Sequence, residues 1–415
     1  MKSHAILLVA LAALALVPPA AAQHFSEGYL LSGTSIQLMT DKGTITTLFD
    51  NPNVAHGARM DVDNRHVVFA VGDLFRLDPA TRAVTTVMAF GFGSDGNVIV
   101  DHHGDYLVTG RHPSAGYGLF RVSGTTVTTV ITTAQMGLNI FLTAGLHLDI
   151  DDGHFMVQGY AGKSAPGHPL LSIAPDGTFQ TICVNVSSTS TPNWEFAQDI
   201  ATGDFYVGVQ NYDRTELIQV AKNGMTTVCA TSNVDLDMFT VIGADRASAA
   251  RPRLVHPYRG VLYTTDLHTF ATTTMFLNAV SVTPRCVDFY RGRNIQSVRT
   301  ATGKYTLHLS FPDHPGKSYV AAMGWTGVRP GIRLNDGRRI ALNPDALTLA
   351  TVANQVPALF RPGPGTLDAQ GEARGQIDVS FLPPLGLPVH VIAVVLDGPA
   401  PGGMALIADP FVMIL

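Results

Sequence analysis

Through the first two-thirds of the chain, short apolar runs alternate with segments rich in Thr and Val, and turn residues separate them every few positions. One pattern is an apolar strand, a turn and a Thr/Val strand. It reads SIQLMTDKGTITTLF (35–49), LFRLDPATRAVTTV (74–87), LFRVSGTTVTTVI (119–131), LLSIAPDGTFQTIC (170–183) and LIQVAKNGMTTVC (217–229), with a weaker copy at 261–275. The leading residues Ile36, Leu74, Leu119, Leu170, Leu217 and Leu262 are spaced by 38, 45, 51, 47 and 45 positions. A second pattern precedes most of these: ARMDVDNRHVVFAV (58–71), NVIVDHHGDYLVTG (97–110), GLHLDIDDGHFMVQG (145–159) and FAQDIATGDFYVGV (196–209). Here an apolar strand ends near an Asp, and Gly104, Gly153 and Gly203 mark the turn, where positive φ costs glycine little. Each full unit is therefore two hairpins, or four strands.

Helical signals are nearly absent, and β-branched residues favour strands. Parallel β-helices repeat with shorter periods, and immunoglobulin-like tandems with roughly twice this one. The pattern predicts an all-β fold: a β-propeller followed by a C-terminal antiparallel β-sandwich. Six blades fit best; five or seven stay open because 232–260 does not parse. The hairpin at 35–49 has no first hairpin before it, and CVDFYRGRNIQSV (286–298) has no second one after it. Together they would complete one blade and close the ring, removing its open edges.

The D-x-x-x-G-x-x-x-V hairpin followed by L-x-x-V-x-x-x-G-x-x-T resembles the NHL-type six-bladed propellers and their lactonase and virginiamycin-lyase relatives, over about residues 30–285. That group hosts binders, scaffolds and enzymes alike, so the resemblance bears on fold more than on activity.

From about 290 the period is lost. Tyr305, Leu307, Leu309 and Phe311 alternate with polar residues, as on a half-buried strand. Asn335-Asp336-Gly337 and Gln370-Gly371 are turn signals, and VHVIAVVL (389–396) is apolar on both faces. The segments 319–347, 365–373 and 387–403 resemble a C-terminal domain attached to many exported bacterial proteins, which implies an accessory or surface-associated role. The expected division is a signal peptide over 1–22, a propeller over 30–285 and a sandwich over 286–415.

Composition narrows the function classes. Charged residues are 14% of the chain, hydrophobic ones 46%, and the net charge is −5. That is an ordered, core-rich chain with no basic run suited to phosphate, which argues against nucleic acid and anionic membrane as partners. Lys2, the apolar stretch Ala5 to Val17 and Ala20-Ala21-Ala22 before Gln23 predict a secretory signal cleaved near Gln23, and so a secreted, periplasmic or cell-surface protein. No other stretch is long and apolar enough to span a bilayer. Cys183, Cys229 and Cys286 read as small buried hydrophobes; the first two end equivalent strands of successive repeats, which should hold them apart.

Candidate chemistry lies where residues recur or break the repeat. Asp61, Asp149 and Asp199, with Asp288 as a further copy, end the first strand of a unit. They could ring the axis as Ca²⁺ ligands; the plainer reading is that each caps its own hairpin turn, as repetition in every blade favours. His56, His102, His103, His147 and His256 fall on or before innermost strands and, with Arg59, Asp101 and Glu195, could line a polar funnel at one mouth. No H-x-H, H-x-x-x-H or HExxH spacing occurs, and His102 and His103 are expected on opposite faces of a strand. Trp194-Glu195 has no counterpart in other repeats: the Trp could stack on a sugar or aromatic ring and the Glu act as ligand or base, or the Trp could simply pack a loop. Neither a nucleophile elbow nor a phosphate loop is present. The first functional reading is an exported, non-enzymatic, monomeric binding or scaffold module, without a cofactor, for a small molecule, glycan or protein at the propeller mouth. The second, which the lactonase resemblance implies, is a Ca²⁺-type metal-assisted hydrolase or lyase that needs several of Glu195, His147, Asp149, Asp199 and His102 to converge.

Overall fold

A computed structural model describes residues 28–415, apart from positions 34, 62, 64, 139 and 362 and segments 41–43, 51–56, 91–96, 161–167, 187–195, 212–213, 233–239, 243–252, 259–260, 267–268, 277–285, 291–293 and 384–385. The chain divides into two units, one of 26–242 and 253–293, the other including 294–415.

The first unit holds six four-stranded antiparallel sheets. Blades two to five follow chain order, each starting from its innermost strand: Arg59–Met60, Val98–Val100, Phe141–Leu148 and Phe196–Gln198. The sixth is Thr240–Ile242, Arg253–Tyr258, Val261–Asp266 and Thr272–Phe276, which places two strands from the stretch that carried no clear pattern, the rest of it lying outside the described residues. The first blade mixes the two ends of the unit. Cys286–Tyr290 is its innermost strand and pairs with Gly28–Ser32, which pairs with Ser35–Thr40 and then Ile45–Asp50. This is a six-bladed β-propeller closed by its own termini.

Closure follows the expected plan with one change of partner. The strand next to Cys286–Tyr290 is Gly28–Ser32, not the continuation of 286–298; Ile295–Ala301 joins the C-terminal unit. Leu30 and Leu31 are buried apolar residues just ahead of Ser35–Thr40, so this segment can supply the second strand, and a short link suffices for a hairpin.

Successive blades pack through apolar layers made by both sheets. Leu30, Ile36 and Leu48 of the first blade meet Met60, Val67 and Phe69 of the second. Equivalent clusters join blades two and three, three and four, and four and five. Both faces of a blade are thus buried, which is why its inner strands read as near-continuous apolar runs.

One irregularity recurs in all six blades. The register between third and fourth strands shifts directly after the leading residue, at Ile36, Leu74, Leu119, Leu170, Leu217 and Leu262. The fourth strand gains one residue there: Leu48, Val87, Val130, Ile182, Cys229 or Met275. Each is a β-bulge, which raises local twist. Leu48, Val87, Val130 and Ile182 use the bulge to reach the inter-blade layers. At the bulges of blades three and four the next blade's turn fits against the bulge. A Cβ on Gly177 would lie 2.4 Å from the Val130 carbonyl oxygen, and one on Gly224 2.2 Å from that of Ile182. Cys183 is buried in the layer between blades four and five, whereas Cys229 is only partly buried, contrary to expectation, and its thiol donates to the polar Gln219 Oε1 and the Thr227 carbonyl; the side chain of Cys286 lies outside the described residues.

In the second unit, Ile295–Ala301, Lys304–Ser310, Glu372–Asp378 and Phe360–Arg361 form one antiparallel sheet. Gly365–Thr366, Ser318–Gly324, Pro388–Leu396, Met404–Ile407 and Phe411–Ile414 form another. The two share a core that includes Leu307, Leu309, Phe360 and Ile377 from the first and Ala321, Val391, Val395 and Met413 from the second. A short helix, Ala346–Val352, is capped by Asp345, whose side chain accepts from Thr348 N at 2.7 Å. No helix among the described residues is long and apolar enough to cross a membrane.

Candidate functional site

In blades two to five each innermost strand begins at one rim of the propeller and ends, at the other, in the turn to the second strand. The aspartates sit on that turn rim. Asp61, Asp101, Asp149 and Asp199 are all nearly or fully buried. Their backbone N–H groups close the hairpins, donating to His66, Asp105, His154 and Asp204 carbonyls. Asp101 Oδ1 accepts from His103 N and Asp105 N at 2.8 and 3.0 Å. Asp149 Oδ1 accepts from Asp151 N at 2.9 Å, and Asp199 Oδ1 from Ala201 N at 2.8 Å. The glycines that let these turns close, Gly104, Gly153 and Gly203, have φ of 81°, 71° and 83°.

The other carboxylate contacts reach further. Arg76, from the third strand of the second blade, places Nε 2.6 Å from Asp61 and Nη2 2.6 Å from Asp63. Arg121 occupies the equivalent position in the third blade, with Nε 3.3 Å from Asp101. In the fourth blade the cation comes from the neighbour: Lys222 of the fifth blade donates to Asp149 at 2.8 and 2.6 Å and pairs with Asp151 at 2.5 Å. An aromatic at the start of the next blade's second strand completes each group. The Tyr106 hydroxyl donates to Asp61 at 3.0 Å, Arg121 lies over the Phe155 ring, and Lys222 lies over the Phe205 ring. These are latches between blades: a buried charge is held only by pairing it and satisfying its remaining oxygens.

The electrostatics follow from that burial. Desolvation pushes the Asp101 carboxyl above its usual range against the pull of His103 and Arg121. For Lys222, burial opposes the charge, but Asp149 and Asp151 outweigh it and hold the ammonium above its usual value. Burial and the adjacent Asp61 charge raise the Tyr106 phenol well above its ordinary value. Burial would raise Asp63, yet the N–H groups of His66 and Arg65 prevail and lower it.

The sequence-derived candidates separate along the strands. His102 and His103 share the turn after Val100, not a strand, and their rings stand 4.0 Å apart, so the expectation of opposite faces fails. The strand ends two residues earlier than the alternation assumed. His147 is on the innermost strand of the fourth blade, its ring 6.0 Å from that of Phe196 in the fifth. His256 is on a second strand, opposite Tyr263, rather than an innermost one. Arg59 begins the innermost strand of blade two, opposite Val68. Asp288 is mid-strand, opposite Leu30, and ends no hairpin. His56, Trp194 and Glu195 lie outside the described residues. Among the described residues, no group of three or more His, Cys, Asp or Glu side chains has the spacing to hold a metal ion.

The opposite end of the strands has a different character. Asn97 immediately precedes the innermost strand of blade three, and its backbone exchanges hydrogen bonds with Thr109. Counting from the turn glycine, Gln158 occupies in blade four the place of Thr109 in blade three, opposite Ala144. Asn97 and Gln158 are 2% and 0% exposed, and among the described residues neither side-chain amide has a hydrogen-bond partner. Gln198, at the turn rim, is the contrast. Its Oε1 accepts from Ile150 N at 2.8 Å, and its Nε2 donates to Asp149 and to the Gly203 carbonyl. Sequence reasoning missed Asn97 and Gln158. Their only signal was a polar residue in an otherwise apolar inner strand pair.

No family model and no curated protein matches the chain. Similar solved structures include TolB from Acinetobacter baumannii, at 12% identity and a TM-score of 0.36, covering 48% of this chain and 49% of that one. The chain thus spans about half of TolB. Oligogalacturonate lyase from Vibrio parahaemolyticus aligns at 9% identity and a TM-score of 0.40, over 71% of this chain and 89% of that one. A calcium-binding protein, regucalcin, from Agrobacterium tumefaciens aligns at 12% identity and 0.36, over 71% and 87%.

Proposed function

We propose that this protein is an exported, non-enzymatic binding module whose propeller takes a polar, uncharged ligand, a glycan or similar hydroxyl-rich molecule, at the rim where the innermost strands begin. The observation that carries the reading is the contrast between the rims. At the turn rim the buried aspartates are engaged in hairpin caps and latches. At the other end, the buried amides of Asn97 and Gln158 keep open hydrogen-bonding capacity, which polar groups or ordered water must meet. An amide presents both donors and an acceptor, which suits hydroxyls better than ions. Trp194, which precedes the innermost strand Phe196–Gln198 in the sequence, is the aromatic residue this reading would recruit for stacking on a sugar ring.

The metal-assisted hydrolase reading required the carboxylates to converge. Asp149 and Asp199 instead serve separate turns, and Asp149 is also held by Lys222. The test is calorimetric titration of the purified protein with a panel of neutral oligosaccharides, with and without EDTA, followed by product analysis. Binding without turnover, weakened at least tenfold in Trp194→Ala, is expected. Turnover that EDTA abolishes would overturn the reading.

A further inference from the structure

Four large apolar side chains are left exposed at one end of the C-terminal unit: Trp325, Phe381, Leu382 and Leu387 are 54%, 67%, 39% and 51% accessible. Their common location follows from the strands. Glu372–Asp378 and Ser318–Gly324 finish at this end, and Lys304–Ser310 and Pro388–Leu396 begin there, with Lys304 opposite Asp378 and Gly324 opposite His390. At the far end, the turn between Lys304–Ser310 and Ser318–Gly324 is bonded through Gly316 N to the Asp368 carbonyl, just ahead of Glu372–Asp378, so the two sheets run in the same sense. Trp325 directly follows one finishing strand, Phe381 and Leu382 follow the other, and Leu387 precedes Pro388.

The segment 379–389 reads VSFLPPLGLPV and holds no charged residue and no histidine. Lys304 and Asp378, at the strand ends there, pair with each other at 3.0 Å. The backbone that carries the apolar side chains is fixed. Ser380 N and Oγ donate to Asp378 Oδ1 at 3.1 and 2.6 Å. Leu382 N donates to the Val379 carbonyl and Gly386 N to the Leu415 carbonyl, at 2.9 and 2.7 Å. A Cβ on Gly303 would lie 2.6 Å from Ser380 Cα, so this turn rests directly on the neighbouring hairpin. Trp325 is held in the same way, its N donating to Asp345 Oδ2 at 2.8 Å. A braced frame that displays apolar side chains to water is preorganised for an apolar partner.

We propose that this end of the C-terminal unit docks on a zwitterionic phospholipid surface, with Phe381, Leu382 and Leu387 entering the boundary between headgroups and acyl chains and Trp325 at headgroup level. Exposed apolar surface gathered in one place marks a contact with a protein or a membrane. Its size selects the membrane. With about 150–250 Å² for a whole aromatic side chain, the four exposures come to roughly 400 Å², half of the ~800 Å² that a stable protein interface takes from each partner. Interfacial insertion has no such threshold, since its strength scales with whatever apolar area is buried, and Trp is enriched at that depth. Charge selects the lipid: an uncharged segment on a chain of net charge −5 offers no attraction to anionic headgroups. This site is separate from the propeller mouth and independent of the ligand taken there.

The test uses the full chain throughout, so that anything residues 1–22 contribute is common to every variant, and vesicles of phosphatidylcholine as probe. Wild type should sediment with the vesicles and keep that binding as salt rises, because screening acts only on charge. Its indole fluorescence should be quenched by phosphatidylcholine brominated near the top of the acyl chain. The Phe381→Ser/Leu387→Ser double variant should lose at least tenfold in partitioning while its melting temperature holds, since both side chains are exposed. Trp325→Phe keeps the apolar bulk and should bind comparably but lose the quenching. No binding by wild type, equal binding by the double variant, binding only to vesicles containing phosphatidylglycerol, or a lipid-free dimer of wild type that the double variant abolishes would each overturn the proposal.

Discussion

Lys222, in the turn between the third and fourth strands of the fifth blade, donates to both carboxylate oxygens of Asp149 in the fourth, at 2.8 and 2.6 Å. One side chain thus ties two blades through a residue that also caps its own hairpin. Replacing Asp149 with Asn keeps the turn acceptor and breaks the ion pair. It should cost about 1 kcal/mol, allowing for the water that reaches Lys222, and Ala should cost more because the cap goes too. Chemical denaturation of the two variants beside Lys222→Met would measure this, and a double-mutant cycle should show coupling of similar size.

The Lys222 latch has a defined pH window. A raised folded-state pKa means that its stabilisation is complete below the unfolded lysine value and is lost as pH rises through the folded one. The melting-temperature gap between wild type and Lys222→Met should therefore stay constant through neutral pH. It should close only above about pH 10.5.

Asp101 runs with the opposite sign to a normal salt-bridged carboxylate. Burial raises its pKa, so the folded state disfavours the charged form. Its contribution to stability is greatest below the unfolded value of about 4 and falls as pH rises through the raised one. Asp101→Asn keeps the acceptor for His103 N and Asp105 N and cannot ionise. Relative to wild type, its melting temperature should climb as pH rises from about 4 towards neutrality. A gap that shrinks over that range would contradict the assignment.

The bulge-and-turn contact between blades makes two glycines unequal. Gly124 has φ of 56° but open space around its missing Cβ, so Gly124→Ala should cost only the left-handed strain, about 1 kcal/mol. Gly224 has φ of 83° and the Ile182 carbonyl 2.2 Å from where a Cβ would sit. Gly224→Ala should be clearly more destabilising in thermal melts, since the obstacle is backbone and cannot rotate away. Equal costs would show that the fifth blade's turn does not rest on the bulge.

Ring closure can be tested by truncation. A chain beginning at Gly33 lacks Gly28–Ser32 and leaves two strand edges of the first blade unpaired, so it should aggregate on expression. A chain beginning at Ser26 keeps the strand and should remain soluble. Light scattering on the two distinguishes the outcomes.

Local pattern revealed what local structure needs. The six outer hairpins were legible because each carries a leading apolar residue, a turn and a Thr/Val strand within about fifteen positions. Gly28–Ser32 was not, because its inner partner, Cys286–Tyr290, lies at the far end of the unit. The capping role of the aspartates could be weighed from their recurrence. The latches could not, since Lys222 is 73 residues from Asp149. The bulges were hidden because an inserted apolar residue such as Val130 looks like ordinary strand sequence. Asn97 and Gln158 were missed for a related reason: sequence shows a polar residue in an apolar strand pair, and only packing shows whether its amide finds a partner.

The central proposal is that Asp61, Asp149 and Asp199 serve the propeller as caps and latches and not as Ca²⁺ ligands. Melting of wild type and Asp149→Asn, each with and without millimolar Ca²⁺, tests it most directly. If Asp149 is a cap and latch, calcium leaves both melting temperatures unchanged, and the gap between the two proteins is the same with and without it. A calcium-dependent rise of several degrees in wild type that disappears in Asp149→Asn would contradict the account, because a ligand that binds only the folded state stabilises it by mass action.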